Sequence, residues 1–266
     1  MTPEYWQRQA QGKPLFPDLL WSRPENRTYA GKLLVIGGNA HGMAAPAEAF
    51  AEAEKAGVGS CRVILPQSLK RLAGGVLPAV EFAMHNPSGG FSQMALGEML
   101  QQAQWADGIL LAGDFGRNSE TAILLEKFLE KFQGQVTLTK DAVDYFTTTV
   151  QPVGERPQTT LVLSFSQLQK FATGSKFTTA FTFDMDFLRL IEALHDFTQQ
   201  HPVNIVTKHL DTIFVAVDGQ VSTTKLNPDP EIWRVRTAAH TATWWLQNPS
   251  QTFEALTTAL VQDGPH

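Results

Sequence analysis

Residues able to hold an anion or move a proton gather at three places in the chain. Gly37-Gly38-Asn39-Ala40-His41-Gly42 ends the apolar run KLLVIGG (32–38), and Gly113-Asp114-Phe115-Gly116-Arg117 ends DGILLAG (107–113). Glycine lets a backbone come close to a ligand, and a helix that starts just after such a turn offers unpaired N–H groups to an anion. Neither turn has the spacing G-x-x-x-x-G-K-[ST] or G-x-G-x-x-G, so the phosphate chemistry of those motifs is not implied. A tight strand-to-helix turn with no ligand is the alternative for both. His41 lies inside the first turn, where it meets either a ligand or its own backbone. Asp141 follows VTLTK (136–140) at a strand end. A carboxylate there can hold a proton, a hydroxyl or Mg²⁺, or else cap the next turn.

The elements that must position these residues alternate along the chain. KLLVIGG, SCRVILP (60–66), DGILLAG, GQVTLTK (134–140), TTLVLS (159–164) and VNIVTK (203–208) are short apolar runs of the kind that forms buried parallel strands. Between them fall helical stretches at 44–57, 91–106, 119–132 and 185–200, and two more at 230–247 and 250–262 close the chain. Gly57 is a C-terminal stop, Ser119 is the expected N-cap of the third helix, and Glu120 sits in its favourable first turn. TIFVAVDGQVSTT (212–224) reads as a hairpin through Asp218-Gly219. Strand and helix in alternation predict a layered α/β domain over residues 31–266, preceded by a polar lead-in, residues 1–30, wrapped on the surface.

Composition excludes several classes. The 266 residues are 43% apolar and only 18% charged, with a net charge of −5, which removes the basic field expected of a nucleic-acid-binding protein. No run reaches the length of a membrane span, and the first residues lack a basic-plus-apolar signal, so a cytoplasmic protein with no membrane partner is expected. The single cysteine, Cys61, permits no internal disulfide and reads as a small buried residue. The seven histidines show no metal spacing, so no metal site is expected from them. Trp233, Trp244 and Trp245 on one helix read as packing, or as an apolar partner surface.

The stretch GKLLVIGGNAHGMAAPAEAFAEAEKAGVGSCRV resembles the NAD(P)H-hydrate dehydratase family of the ribokinase-like superfamily. The shared features are the GG-ending strand, the helix of small residues and an A-G-x-G turn, here Ala56-Gly57-Val58-Gly59, after a lead-in bearing Arg23 and Arg27. ADGILLAGDFGRNSET is similar to the family segment A-D-x-x-x-x-G-P-G-L-G, with Gly113 and Gly116 as the outer glycines, Phe115 in the Leu place and Asp114 where the family has proline. VTLTKDAVDYF resembles its D-A-D-A-L stretch, of which Asp141 remains. The resemblance implies a three-layer α/β/α fold with a mostly parallel sheet, and ATP or ADP with Mg²⁺ as cofactor. It also implies ligand contacts from Gly37, Gly38, Asn39, His41, Gly42, Gly113, Asp114, Phe115, Gly116 and Arg117, with Asp141 as the catalytic candidate. A small-molecule or nucleotide ligand and self-association are the partners it suggests.

The family's G-x-G-D loop, whose amides hold an anion and whose aspartate is the base, is missing from STTKLNPDPEIWRVRTAAHTATWW (222–245). Asp229, Pro230 and Glu231 stand at that helix start instead, with Asp229 as a natural N-cap and Pro230 as a first-turn residue. An H-P-G-E-like stretch near 159–171 is missing too. Three readings stay open: a degenerate member that binds a nucleotide or related ligand without the ancestral catalysis; an active ADP/ATP-dependent dehydratase or small-molecule kinase with a substituted base, Asp229 or Glu231; and a structural or protein-interaction module.

Overall fold

The computed structural model describes residues 3–73, 75, 77–226 and 233–261. Ten strands form one sheet: β1 (Trp6–Gln9), β2 (Lys32–Gly37), β3 (Ser60–Pro66), β4 (Val80–Ala83), β5 (Gly108–Gly113), β6 (Gln135–Thr139), β7 (Thr159–Ser164), β8 (Asn204–His209), β9 (Thr212–Val217) and β10 (Gln220–Lys225). Their order is β1-β10-β9-β8-β7-β6-β5-β2-β3-β4. From β4 to β8 every neighbour is parallel, and only β9 runs against the rest. The β9–β10 turn has Asp218 at φ +46° and Gly219 at φ +75°, the two positive values that match a two-residue hairpin to strand twist.

The helices are α1 (Pro17–Trp21), α2 (Ala44–Lys55), α3 (Lys70–Ala73), α4 (Leu96–Ala103), α5 (Ser119–Lys131), α6 (Asp141–Asp144), α7 (Gln151–Gly154), α8 (Phe165–Gly174), α9 (Phe187–Gln200), α10 (Trp233–Gln247) and α11 (Thr252–Thr258). Successive side chains on a strand point to opposite faces, and β2 shows the consequence. Leu34 and Ile36 join a core with residues of α4, α5, α8 and α9, while Leu33 and Val35 join one with α2, α10 and α11. Both faces of the sheet are therefore covered, which is why the central strands read as unbroken apolar runs.

Four expectations change. Residues 6–9 do not wrap the surface: they form the edge strand β1, parallel to β10. Polar bonds fix it there, Trp6 Nε1 donating to Thr223 Oγ1 at 3.1 Å and Gln9 Nε2 to Thr224 Oγ1 at 3.1 Å. The N-cap of α5 is Asn118, not Ser119, because its side chain reaches the Glu120 and Thr121 amides. The 91–106 stretch has its α-helix only over Leu96–Ala103. Trp244 and Trp245 are 4% and 3% exposed, so they are packing residues and not a partner surface. Among the described residues, no helix is long and apolar enough to cross a membrane.

Candidate functional site at the carboxyl edge of the sheet

After β2 the chain turns toward β3 and β4, and β5 then returns to the other side of β2. The carboxyl ends of β2 and β5 thus flank the point where strand order reverses, the place where open parallel sheets leave a crevice. Both glycine turns lie there. Gly37 packs so tightly that a Cβ would stand 2.5 Å from the Gly113 carbonyl oxygen. Gly113 has φ +105°, and a Cβ on it would lie 2.7 Å from Lys140 Cβ and 2.9 Å from Asp141 Oδ1. No other residue fits either place without moving backbone.

Hydrogen bonds tie the two turns to each other. Gly38 N–H donates to Gly113 O at 3.0 Å, and Asn39 Nδ2 donates to Asp114 O. Asn39 Oδ1 accepts the His41 N–H at 2.7 Å, and Asn39 and Gly42 exchange backbone bonds at 3.0 Å. Asn39 is thus committed to loop structure. His41 is exposed, and its ring bonds to none of the described residues. Arg117 is likewise exposed. Phe115 is 1% exposed and packs against Phe91 and Tyr145, so only its backbone can face a ligand.

Asp114 links the β5 turn to two other elements. Its Oδ2 accepts the Ala45 N–H at the start of α2 at 2.7 Å, and its Oδ1 accepts from Lys140 Nζ at 2.7 Å. Met43, the N-cap of α2, provides no side-chain cap. Asp114 and Lys140 both hold positive φ, +59° and +53°, a rare conformation for residues with side chains. Next to them, Asp141 Oδ2 accepts the Gly116 N–H at 2.9 Å, and Tyr145 donates its hydroxyl hydrogen to Gly116 O. Asp141 Oδ1 is buried with no well-formed hydrogen bond. Burial, aided by the Asp114 charge, pushes the Asp141 carboxyl above its ordinary range against the pull of the Gly116 amide, Lys140 and the Asp114 amide. Burial also raises Glu48 on α2, with the neighbouring Glu52 charge adding to it.

Several members of this group lie beyond the residues expected from the sequence. Asn118 Oδ1 accepts the Glu120 and Thr121 N–H groups at 2.8 and 3.4 Å, and its Nδ2 donates to Ser88 Oγ at 2.7 Å. Gln167 on α8 donates from Nε2 to Lys140 O at 2.8 Å and to Asp144 Oδ1 at 2.9 Å, and its Oε1 accepts from Arg234 of α10 at 3.3 Å. Lys140 was readable as a charge beside Asp141, but Gln167 and Arg234 are brought in only by the packing of α8 and α10. Asp229, Pro230 and Glu231 lie outside the described residues.

The donors at the two turns set what they can bind. The Gly116 N–H, the Ala45 N–H of α2 and the Glu120 and Thr121 N–H groups of α5 all have acceptors within the protein. Both oxygens of Asp114 are engaged as well, so these four amides and this carboxylate are not free for a nucleotide phosphate or for Mg²⁺. Among the described residues there is also no group of three or more His, Cys, Asp and Glu side chains placed to hold a metal ion.

No protein-family model matches the chain, and no curated protein matches it. Solved structures do. A ribokinase-like superfamily protein from Enterococcus faecalis covers 98% of this chain and 86% of its own length, with a TM-score of 0.70 at 15% identity. The ADP/ATP-dependent NAD(P)H-hydrate dehydratase of Bacillus subtilis, co-crystallised with ATP and Mg²⁺, covers 93% and 86% with a TM-score of 0.58 at 11% identity. The Bacillus subtilis pyridoxal kinase, solved as an ADP complex, covers 86% and 88% with a TM-score of 0.55 at 11% identity. The fold is therefore ribokinase-like α/β, with a mostly parallel sheet flanked by helices. At these identities the likeness extends to the fold alone.

Proposed function

We propose that the chain is a ribokinase-like protein that binds a nucleotide or a related small molecule in the crevice between β2 and β5, without dehydratase or phosphoryl-transfer chemistry. The observation that carries this reading is the closure of the β5–α5 turn by side chains of the protein itself. Asp141 holds the Gly116 amide, Tyr145 the Gly116 carbonyl and Asn118 the Glu120 and Thr121 amides of α5. Such donors stabilise developing charge only when they are free to meet it, and losing one typically costs roughly 10²–10³ in rate. A missing general base costs about 10²–10⁴ more. Ligand binding is favoured by the reversal of strand order between β2 and β5, where open parallel sheets take their ligands, and by the nucleotide complexes of two proteins of this fold.

Thermal unfolding with ATP, ADP, AMP, NADH and NADPH, each with Mg²⁺, run beside a turnover assay, tests both halves. A ligand at about 100 times its Kd adds ~2.7 kcal/mol. For a chain of this size that raises the midpoint by roughly 5–10 °C. The expected result is a shift with a nucleotide and no product. Flat melts with all five ligands overturn the binding half, and nucleotide-dependent turnover overturns the loss of catalysis.

A second reading rests on Asp141, whose raised carboxyl and Oδ1 without a well-formed hydrogen bond suit a proton acceptor. It expects turnover in the wild type that falls at least about tenfold in Asp141→Asn. Turnover that survives that substitution removes Asp141 from the chemistry.

A further inference from the structure

Asp114 is not demanded by the turn it sits in. A glycine holds φ +59° at no steric cost, whereas an aspartate there is tolerated and strained. Nor does α2 need a cap from a loop 69 residues away, since a serine or threonine at position 43 would serve locally. What Asp114 uniquely adds is a negative charge held in one place from two sides, by the α2 N-terminus and by Lys140. Those are the two partners an incoming phosphate or carboxylate would seek: a helix start with its positive dipole end, and an ammonium group.

We propose that Asp114 is the specificity-determining residue of this crevice: its carboxylate takes the place of an anionic ligand group, so the crevice accepts neutral or cationic groups beside β2 and β5 and turns phosphates and carboxylates away. The inference rests on the reading that this crevice is the ligand site, and it names the chemistry admitted there. The surroundings agree with it. Glu48 and Asp141 add two carboxyl groups near the same lysine, and both feel the Asp114 charge as a repulsion. A nucleotide bound here would then place its phosphates away from these two turns.

The test is calorimetric titration of inorganic pyrophosphate, at low salt, into the wild type, D114G, D114N and the double variants D114G/K140M and D114N/K140M. Glycine keeps the backbone conformation and removes the carboxylate. Asparagine tolerates the same φ, keeps an acceptor for the Ala45 amide and removes only the charge. D114G should bind pyrophosphate at least about tenfold more tightly than the wild type, with D114N between them, and each K140M partner should lose that gain. A merely structural Asp114 would produce no gain of this kind. Should D114G fail to fold, the D114N pair decides. No gain in either folded variant, a gain indifferent to Lys140, or equal binding by the wild type overturns the assignment. None of these outcomes bears on the wild-type nucleotide melts, which test the parent reading separately.

Discussion

Replacing Glu52 by glutamine should make the protein less stable at neutral pH, and the loss should fade in acid. Glu52 is buried between α2 and α10. Its Oε2 lies 3.1 Å from His240 Nε2 and 3.6 Å from Arg236 Nε, and its Oε1 lies 2.5 Å from Lys55 Nζ. The hydrogen bond from His240 is the largest cause, joined by that from Lys55, of a carboxyl held down at about 2 against burial, which pushes the other way. A fall from an ordinary value near 4.5 is worth at most roughly 3.4 kcal/mol at about 1.36 kcal/mol per unit. Lys55 and Arg236 are 68% and 43% exposed at the side chain, so solvent screening brings the figure nearer ~1.5–2 kcal/mol.

The carboxyl is depressed in the folded state. Its stabilisation is therefore complete above the unfolded value, about 4.5, and is lost as pH falls toward 2. Glutamine keeps an acceptor for His240 and deletes the charge. At pH 7 the midpoint of Glu52→Gln should lie roughly 3–8 °C below the wild type by calorimetry. At pH 3 less than about half of the gap should remain. Equal midpoints at pH 7, or a gap unchanged at pH 3, would refute the reasoning.

Other perturbations probe the core and the site. Phe115→Ala removes a ring packed between Phe91 and Tyr145 and should cost about 3–5 kcal/mol in a denaturant titration; a loss under ~1 kcal/mol would mean that the loop does not anchor there. Asn118→Ala uncaps α5 and should cost ~1 kcal/mol, whereas Ser119→Ala should be near neutral, and the reverse order would restore Ser119 as the cap. Cys61 is buried and its thiol is pushed up to about 12 by that burial. It should resist iodoacetamide at pH 8 in the folded protein and react only in denaturant, as mass spectrometry would show; rapid labelling of native protein would contradict the packing of β3.

How far the fold could be read in advance depended on how each element is stabilised. Strands β2, β3 and β5 to β8 are legible because both faces are covered, so their apolar runs are continuous, and the hairpin is legible because Asp218-Gly219 is a local turn signal. β1 is not: Trp-Gln-Arg-Gln carries no apolar run, and its place comes from side-chain bonds to Thr223 and Thr224 more than 200 residues away. The N-cap of α5 lies one residue before the expected Ser119 because Asn118 and Ser119 are both good caps and only backbone geometry separates them.

The site divides in the same way. Gly37, Gly113 and Asp141 stand out by residue type behind apolar strands, since glycine and a strand-end carboxylate are local signatures that need no partner to be seen. What the turns can do is tertiary. Asp114 reads in sequence as a glycine-loop residue open to a ligand. In the fold it spans from the start of α2 to Lys140 at the end of β6, and Gln167 and Arg234 enter only because α8 and α10 pack against the same edge. Hydrophobic period and turn chemistry are written along the chain and so determine the elements. Which charge meets which amide depends on strands and helices distant in sequence being set side by side, and only the folded sheet decides that.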